Sequence, residues 1–298
     1  MARLNDSEKK ILDQIARWKA ATPSFLARAT EFVSKPINWL TDTLIPANIR
    51  SGVGEVTDKI AERIQDLSQW TVNKEVILKA TKEFEIDANT IVGLKQATIH
   101  DLDHVAQDFI TTNSRIGTGS GAVAGIVGWA GLLADLPALF VLSLRTIYQI
   151  ALCYGYDLEG ENGTQEEKDF EFEYIMRVFK VATSSDKVQK QKALGELKDF
   201  EAGRYDEELT AGLGSDFTTK QVGKNTTRII SQRIIREIVE QTLSKKAAAL
   251  VPGLGAIFNA GFNYVYLKDV GESAFMLYRE RFLLDKKGRK RSIKIEIE

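Results

Sequence analysis

"GTGSGAVAGIVGWAGLLADLP", residues 117–137, sets six glycines in a run that carries no charge before Asp135. Three structures compete for such a run: a phosphate cradle, a membrane insert or a close-packed helix. A phosphate loop needs G-x-x-x-x-G-K-[ST], or G-x-G-x-x-G between a strand and a helix. No lysine follows these glycines and no strand signal precedes them. Thr118 also takes the place of the first glycine in a G-x-S-x-G nucleophile elbow. The nucleotide reading falls.

On a helix advancing about 100° per residue, Gly117, Gly121, Gly125, Gly128 and Gly131 share one stripe, with Trp129 on another face. A bare stripe lets a second helix approach backbone to backbone. Each glycine costs about 1 kcal/mol of helix propensity, so a packed partner has to offset it. Asp135 then reads as the N-cap of a second arm, with Pro137 in its first turn. That arm ends near Gly155, a natural C-cap. The expected unit is an apolar, glycine-rich helical hairpin at the centre of the fold. Residues 116–134 are uncharged over nearly the roughly 20 residues needed to span a bilayer. Arg145, however, sits midway along the second arm, at a cost of about 3 kcal/mol in lipid. Two full membrane passes are disfavoured, and the stripe meets either protein or lipid, with protein preferred. Buried Asp135 and Arg145 then require partners.

Outward from this run the chain reads helical almost throughout. Ile11, Leu12, Ile15 and Trp18 recur at helical spacing. Further helices are predicted from about 54 to 67, 73 to 84, 170 to 182, 185 to 200 and 218 to 246. Asn89 or Thr90 is expected to cap a helix running through Ile110. The single strand signal is the alternating "SIKIEIE" at the end. The fold class is all-α, a multi-helix bundle. Residues 1–285 form one domain with a subdomain joint near 201–216, and residues 286–298 form a flexible basic tail.

The 298 residues, 44% hydrophobic and 27% charged, can bury a large core. A net charge of -1 gives no global attraction to nucleic acid, and none is expected as a partner. Cys153 is the only cysteine, which removes intramolecular disulfides and cysteine-based metal sites. The opening "MARLNDSEKK" has no apolar h-region, so a cytoplasmic location is expected.

A second glycine-bearing segment, residues 247–267, is also uncharged, and Asn259 and Asn263 stand one turn apart in it. Together with "ADLPALFVLSLRTIYQIALCYGYD" (134–157), "VPGLGAIFNAGFNYVYLKDVGESA" (251–274) and the looser Trp18, Pro36 and Pro46 region, it resembles the EcsC protein family. The resemblance spans most of the chain and rests most on the two glycine segments. It carries over to Asp135, Pro137, Arg145, Tyr154, Gly155, Asn263 and Asp269. The family takes its name from a gene that accompanies an ABC transporter's ATPase and membrane subunits. The resemblance implies a bacterial-type, largely helical protein, cytoplasmic or peripheral at the inner face of a membrane, without a settled activity.

Both histidines lie in "IHDLDH" as His100 and His104, one helical turn apart, with Asp101 where a zinc peptidase carries its glutamate. A zinc-dependent hydrolase on this helix is the enzymatic alternative. Asp101 is shorter than that glutamate, and no third ligand is marked. Lys286, Lys287, Arg289, Lys290 and Arg291 make the tail basic, either solvated or drawn to anionic lipid. The expected function is non-catalytic: an EcsC-like helical protein that meets a membrane surface, a membrane protein, or an apolar ligand or lipid. No cofactor is expected outside the zinc alternative.

Overall fold

The computed structural model describes residues 4–23, 47–66, 71–124, 128–158, 163–211, 233–242 and 262–295. Its elements are α1 (Asp6–Ala20), α2 (Ala47–Gln65), α3 (Lys74–Glu83), a 3₁₀ turn (Val92–Gln96), α4 (Ile99–Ala124) and α5 (Gly128–Cys153). They continue with α6 (Gln165–Thr183), α7 (Lys187–Ala211), a helix covering 233–242 (α8) and α9 (Phe262–Ile295). The fold is an all-α packed bundle, with no strand among the described residues.

The starts of these helices are written locally. Asn5 and Glu8 form a reciprocal capping box at α1, and Thr164 and Glu167 repeat it at α6. Asn73 caps α3 through the Glu75 N–H, at 2.8 Å. The helix expected to start at Asn89 or Thr90 starts later. Thr90 instead takes the Gly93 N–H at the 3₁₀ turn, and α4 opens behind Thr98.

α4, α5 and α9 pack on one another at the centre, and α5 is also touched by α2, α3 and α6. Surrounded in this way, α5 is apolar on nearly every side. Among the described residues its Leu136–Cys153 stretch is long and apolar enough to cross a membrane, and 78% of it is buried in protein. Its end is a Schellman cap: Tyr156 N–H reaches the Ala151 carbonyl, Gly155 N–H reaches that of Leu152, and Gly155 has φ 83°. A side chain at Gly155 would also strike Lys95 and the Ile91 carbonyl, so the expected C-cap is required twice over.

Two long-range pairs fix α4 against α5 as antiparallel neighbours: Tyr154 donates to Asp103 (2.6 Å) and Asn113 to Gln149 (2.6 Å). α9 is antiparallel to α4 as well, since Arg279 meets Asp103 and Gly271 lies over Ile110. A Cβ at Gly271 would come 2.9 Å from Ile110 Cγ1, so this glycine sets the closeness of the two helices. Gly271→Ala is expected to destabilise the fold by about 1–3 kcal/mol through overpacking. Ile110→Ala, which removes both Cγ atoms that the new methyl would meet, should recover part of that loss in the double variant, and chemical denaturation of the four proteins measures it.

Several expectations are corrected. The glycine run is not one arm of a hairpin of its own. Gly117 and Gly121 lie at the end of α4, Gly128 and Gly131 at the start of α5, and Gly125 falls outside the described residues. Asp135 does not begin a helix, because α5 runs through it and through Pro137. Packing on all sides of α5 outweighs the lost proline hydrogen bond. The first four residues of "SIKIEIE", 292–295, are helical rather than extended, since α9 continues to Ile295, and 296–298 lie outside the described residues. α7 covers 201–211, the first part of the suggested joint, and 212–216 lie outside the described residues.

Candidate functional site

The buried arginine pairs and the apolar helix ends lie at opposite ends of the bundle. At one end α9 presents two buried arginines in opposite directions. Arg279 reaches Asp103 (2.8 Å) and Gln14 (3.2 Å), and its guanidinium lies over Phe275. Asp103 also accepts the Tyr154 hydroxyl. Burial lifts the Asp103 carboxyl above the ordinary range, against the pull of Arg279 and Tyr154. Arg281 makes a two-pronged pair with Glu171 (2.7 and 2.5 Å) and lies over the rings of Tyr156, Tyr174 and Phe170. Burial opposes its charge, but Glu171 and the phenols outweigh burial and hold the guanidinium protonated. Tyr156 donates to Asp285 (2.8 Å). These groups are spent on one another, which makes the cluster a clasp joining α4, α5, α6 and α9.

A second clasp holds α1. Lys190, at the start of α7, donates to the Trp18 and Ala21 carbonyls (2.6 and 3.2 Å) and lies over the Trp18 ring. An ammonium at these orphan carbonyls opposes the negative end of the α1 dipole. Burial pushes this amine down to about 8.

A cleft of about 330 Å³ opens between α6, α7 and α8. Lys180 at its wall is bound by both Glu196 (2.7 Å) and Glu237 (2.6 Å). The lining mixes both signs of charge with serine and glutamine, with no histidine or cysteine among the described residues that line it.

At the other end of the bundle the described residues of α4, α5 and α9 carry little charge. After Arg115, α4 carries no charge to its end at Ala124; α5 carries only Asp135 from Gly128 to Ser143 and Leu144. α9 starts at this end and carries no charge before Lys268. The register of Gly271 on Ile110 sets Phe262 level with the glycines of α4, about 13 Å further along both helices. Arg115, Arg145 and Lys268 fall within about one turn of a common level, bordering the uncharged end. Arg115 and Arg145 are exposed, and half-exposed Lys268 pairs weakly with Glu272 at 3.7 Å.

Arg145 was expected to be buried and partnered, and instead it faces solvent. Asn263 is buried on α9, while Asn259 lies outside the described residues. The Asp269 carbonyl accepts the Ser273 hydroxyl (2.8 Å). Trp129 stands in the first turn of α5. Of the basic run, Lys286 pairs with Glu8 at 3.2 Å and Lys287 is exposed. Arg289, Lys290 and Arg291 follow on the α9 backbone. This run lies about 36 Å along α9 from Phe262, so it shares no patch with the uncharged end.

His100 and His104 are both exposed, with their Nε2 atoms 3.4 Å apart. Asp101 is committed elsewhere: it accepts the Thr98 hydroxyl (2.6 Å), and its N–H bonds back to that oxygen, closing the start of α4. A helix-capping carboxylate is not poised to activate water, which removes the base from the hydrolase arrangement. Among the described residues no group of three or more His, Cys, Asp and Glu side chains is placed to hold a metal.

The model of the EcsC protein family matches residues 9–283. Uncharacterized protein YdbA of Bacillus subtilis (strain 168) is 29% identical over 250 residues, 83% of each chain. Protein EcsC of the same organism is 22% identical over 238 residues, covering 78% of this chain and 86% of that one. No solved structure matches. With the family match running from α1 almost to the end of the described α9 side chains, the chain belongs to the EcsC protein family.

Proposed function

We propose that this EcsC-family chain acts without catalysis at the inner face of a membrane, entering the lipid interface by its glycine-rich end. The observation that carries this reading is the coincidence of three apolar helix ends, those of α4, α5 and α9, with Asp135 their one charge, bordered by Arg115, Arg145 and Lys268. An apolar tip below a basic border matches the two-part physics of interfacial binding, in which apolar burial adds to attraction by anionic headgroups. In this arrangement the glycine-bearing ends of α4 and α5 form the membrane hairpin, and the Arg279 and Arg281 clasp stays on the aqueous side. The basic run near Lys286 faces away from the membrane, so it does not orient the tip. An accessory role beside a membrane transporter, as the family resemblance implies, follows from the same placement.

Vesicle flotation tests this. The chain is expected to float with vesicles containing phosphatidylglycerol. At about 1 kcal/mol per basic residue, replacing Arg115, Arg145 and Lys268 together by glutamine should lower partitioning about a hundredfold. Recovery of the folded wild-type protein only from the bottom fraction, with neutral and anionic vesicles alike, would remove the membrane from this proposal.

A further inference from the structure

We infer that His100 and His104 form a two-imidazole zinc site on the exposed face of α4, separate from the glycine-rich end. The residues sit at i and i+4 in the first two turns, so their side chains project from one face. Both rings turn the same atom inward: the two Nε2 nitrogens are 3.4 Å apart, with ring centroids at 4.7 Å and planes at 71°. As a hydrogen bond this is long, since such bonds cluster near about 2.9–3.0 Å between heavy atoms.

As a metal bite it fits. With zinc–nitrogen bonds of about 2.0–2.1 Å, nitrogens 3.4 Å apart subtend about 110° at the ion, the tetrahedral angle zinc adopts. A square-planar or octahedral ion with bonds of that length needs the nitrogens at about 2.9 Å. The spacing is therefore the one a tetrahedral dication such as zinc takes.

Its surroundings hold the bite in place. Phe84, from the turn after α3, lies nearly parallel to the His104 ring (7°, centroids 6.1 Å) and backs it from one side. Asp101 is turned to Thr98, and Asp103, one residue before His104, is turned inward to Arg279 and Tyr154. No carboxylate of the described residues completes a three-ligand group, so two positions of the tetrahedron stay open to water or to a donor from another molecule. A site of this kind binds zinc exchangeably, unlike the closed four-ligand sites that hold folds together.

Equilibrium dialysis of the metal-stripped full chain against buffered zinc chloride is the test. One zinc per chain is expected, and His100→Ala or His104→Ala should each weaken binding at least a hundredfold. Even outer partners of metal sites are worth about 10–100-fold. Phe84→Ala should weaken it less while leaving the stoichiometry at one. Zinc uptake unchanged in both histidine variants, or none by the wild-type chain at millimolar zinc, would overturn the assignment. Circular dichroism of each variant accompanies the measurement, and both positions are exposed, so the variants are expected to fold.

Discussion

Arg281→Ala is expected to cost about 3–5 kcal/mol of folding stability, because it strips the partner from a carboxylate that stays behind in the core. The Arg281 and Glu171 side chains are 5% and 12% exposed, and the guanidinium fills the space between Tyr156, Tyr174 and Phe170. The substitution removes a bidentate pair and three ring contacts, and leaves Glu171 to be protonated or solvated. Removing both charges separates the two effects. Arg281→Met with Glu171→Gln keeps the volume and abolishes the orphaned charge, so the double variant should regain most of the loss. Urea unfolding followed by circular dichroism measures all four corners of this cycle. A single variant within about 0.5 kcal/mol of wild type, the range of an ordinary surface substitution, would mean that the clasp is not what holds α9 to α6.

Above pH 10 the protein should lose stability abruptly. Burial raises the phenols of Tyr154, Tyr156, Tyr174, Tyr266 and Tyr278 above their ordinary value of 10.0. Nearby Asp103 pushes Tyr154 the same way, and Asp285 does so for Tyr156. A group whose pKa is raised on folding holds its proton in the native state after the unfolded chain has released it. Stability is then fully present below pH 10 and falls as pH rises beyond it. The loss is about 1.4 kcal/mol per pH unit for each phenol still protonated, or about 7 kcal/mol per unit for the set. Total stabilities of about 5–15 kcal/mol cannot survive two such units.

Lys190 acts in the opposite direction. Its amine is lowered to about 8 from 10.5, so the unfolded chain holds the extra proton and stability rises between those values. One partly solvated amine does not offset five phenols. Tyrosinate absorbance should therefore rise in one step together with the loss of helical circular dichroism. Smooth ionisation of all eight tyrosines with the helices intact would contradict the burial described here.

What could be read from the residues was local. The Ile11, Ile15 and Trp18 spacing gave α1, Asn73 and Phe84 bounded α3, and Gly155 marked the end of α5. Each rests on neighbours within two turns, where propensity and capping operate. The failures lie where tertiary packing overrides those signals. Pro137 and Asp135 look like a helix start, yet the crowded setting of α5 carries the helix through both. The glycine stripe presupposes one continuous helix, whereas α4 and α5 divide the run between them.

The clasp was invisible for a different reason. Arg279 and Asp103 are distant in the chain, and neither residue type nor periodicity says which of many carboxylates an arginine will meet. Lys190 on the α1 carbonyls belongs to the same class. His100 and His104 were found by spacing, but the use of Asp101 as a cap became visible only with Thr98 in place.

α9 is keyed to α4 at two points, the notch of Gly271 over Ile110 and the bond of Arg279 to Asp103. One residue added between them would swing everything beyond by about 100° and advance it about 1.5 Å. The arginines would then face away from both carboxylates, and no rotamer change could bring them back. Substitutions here can be absorbed singly, as volume or charge, but a change of length cannot. Residues 271–281 are therefore a measured interval in this chain, and length variation among relatives has to fall outside it.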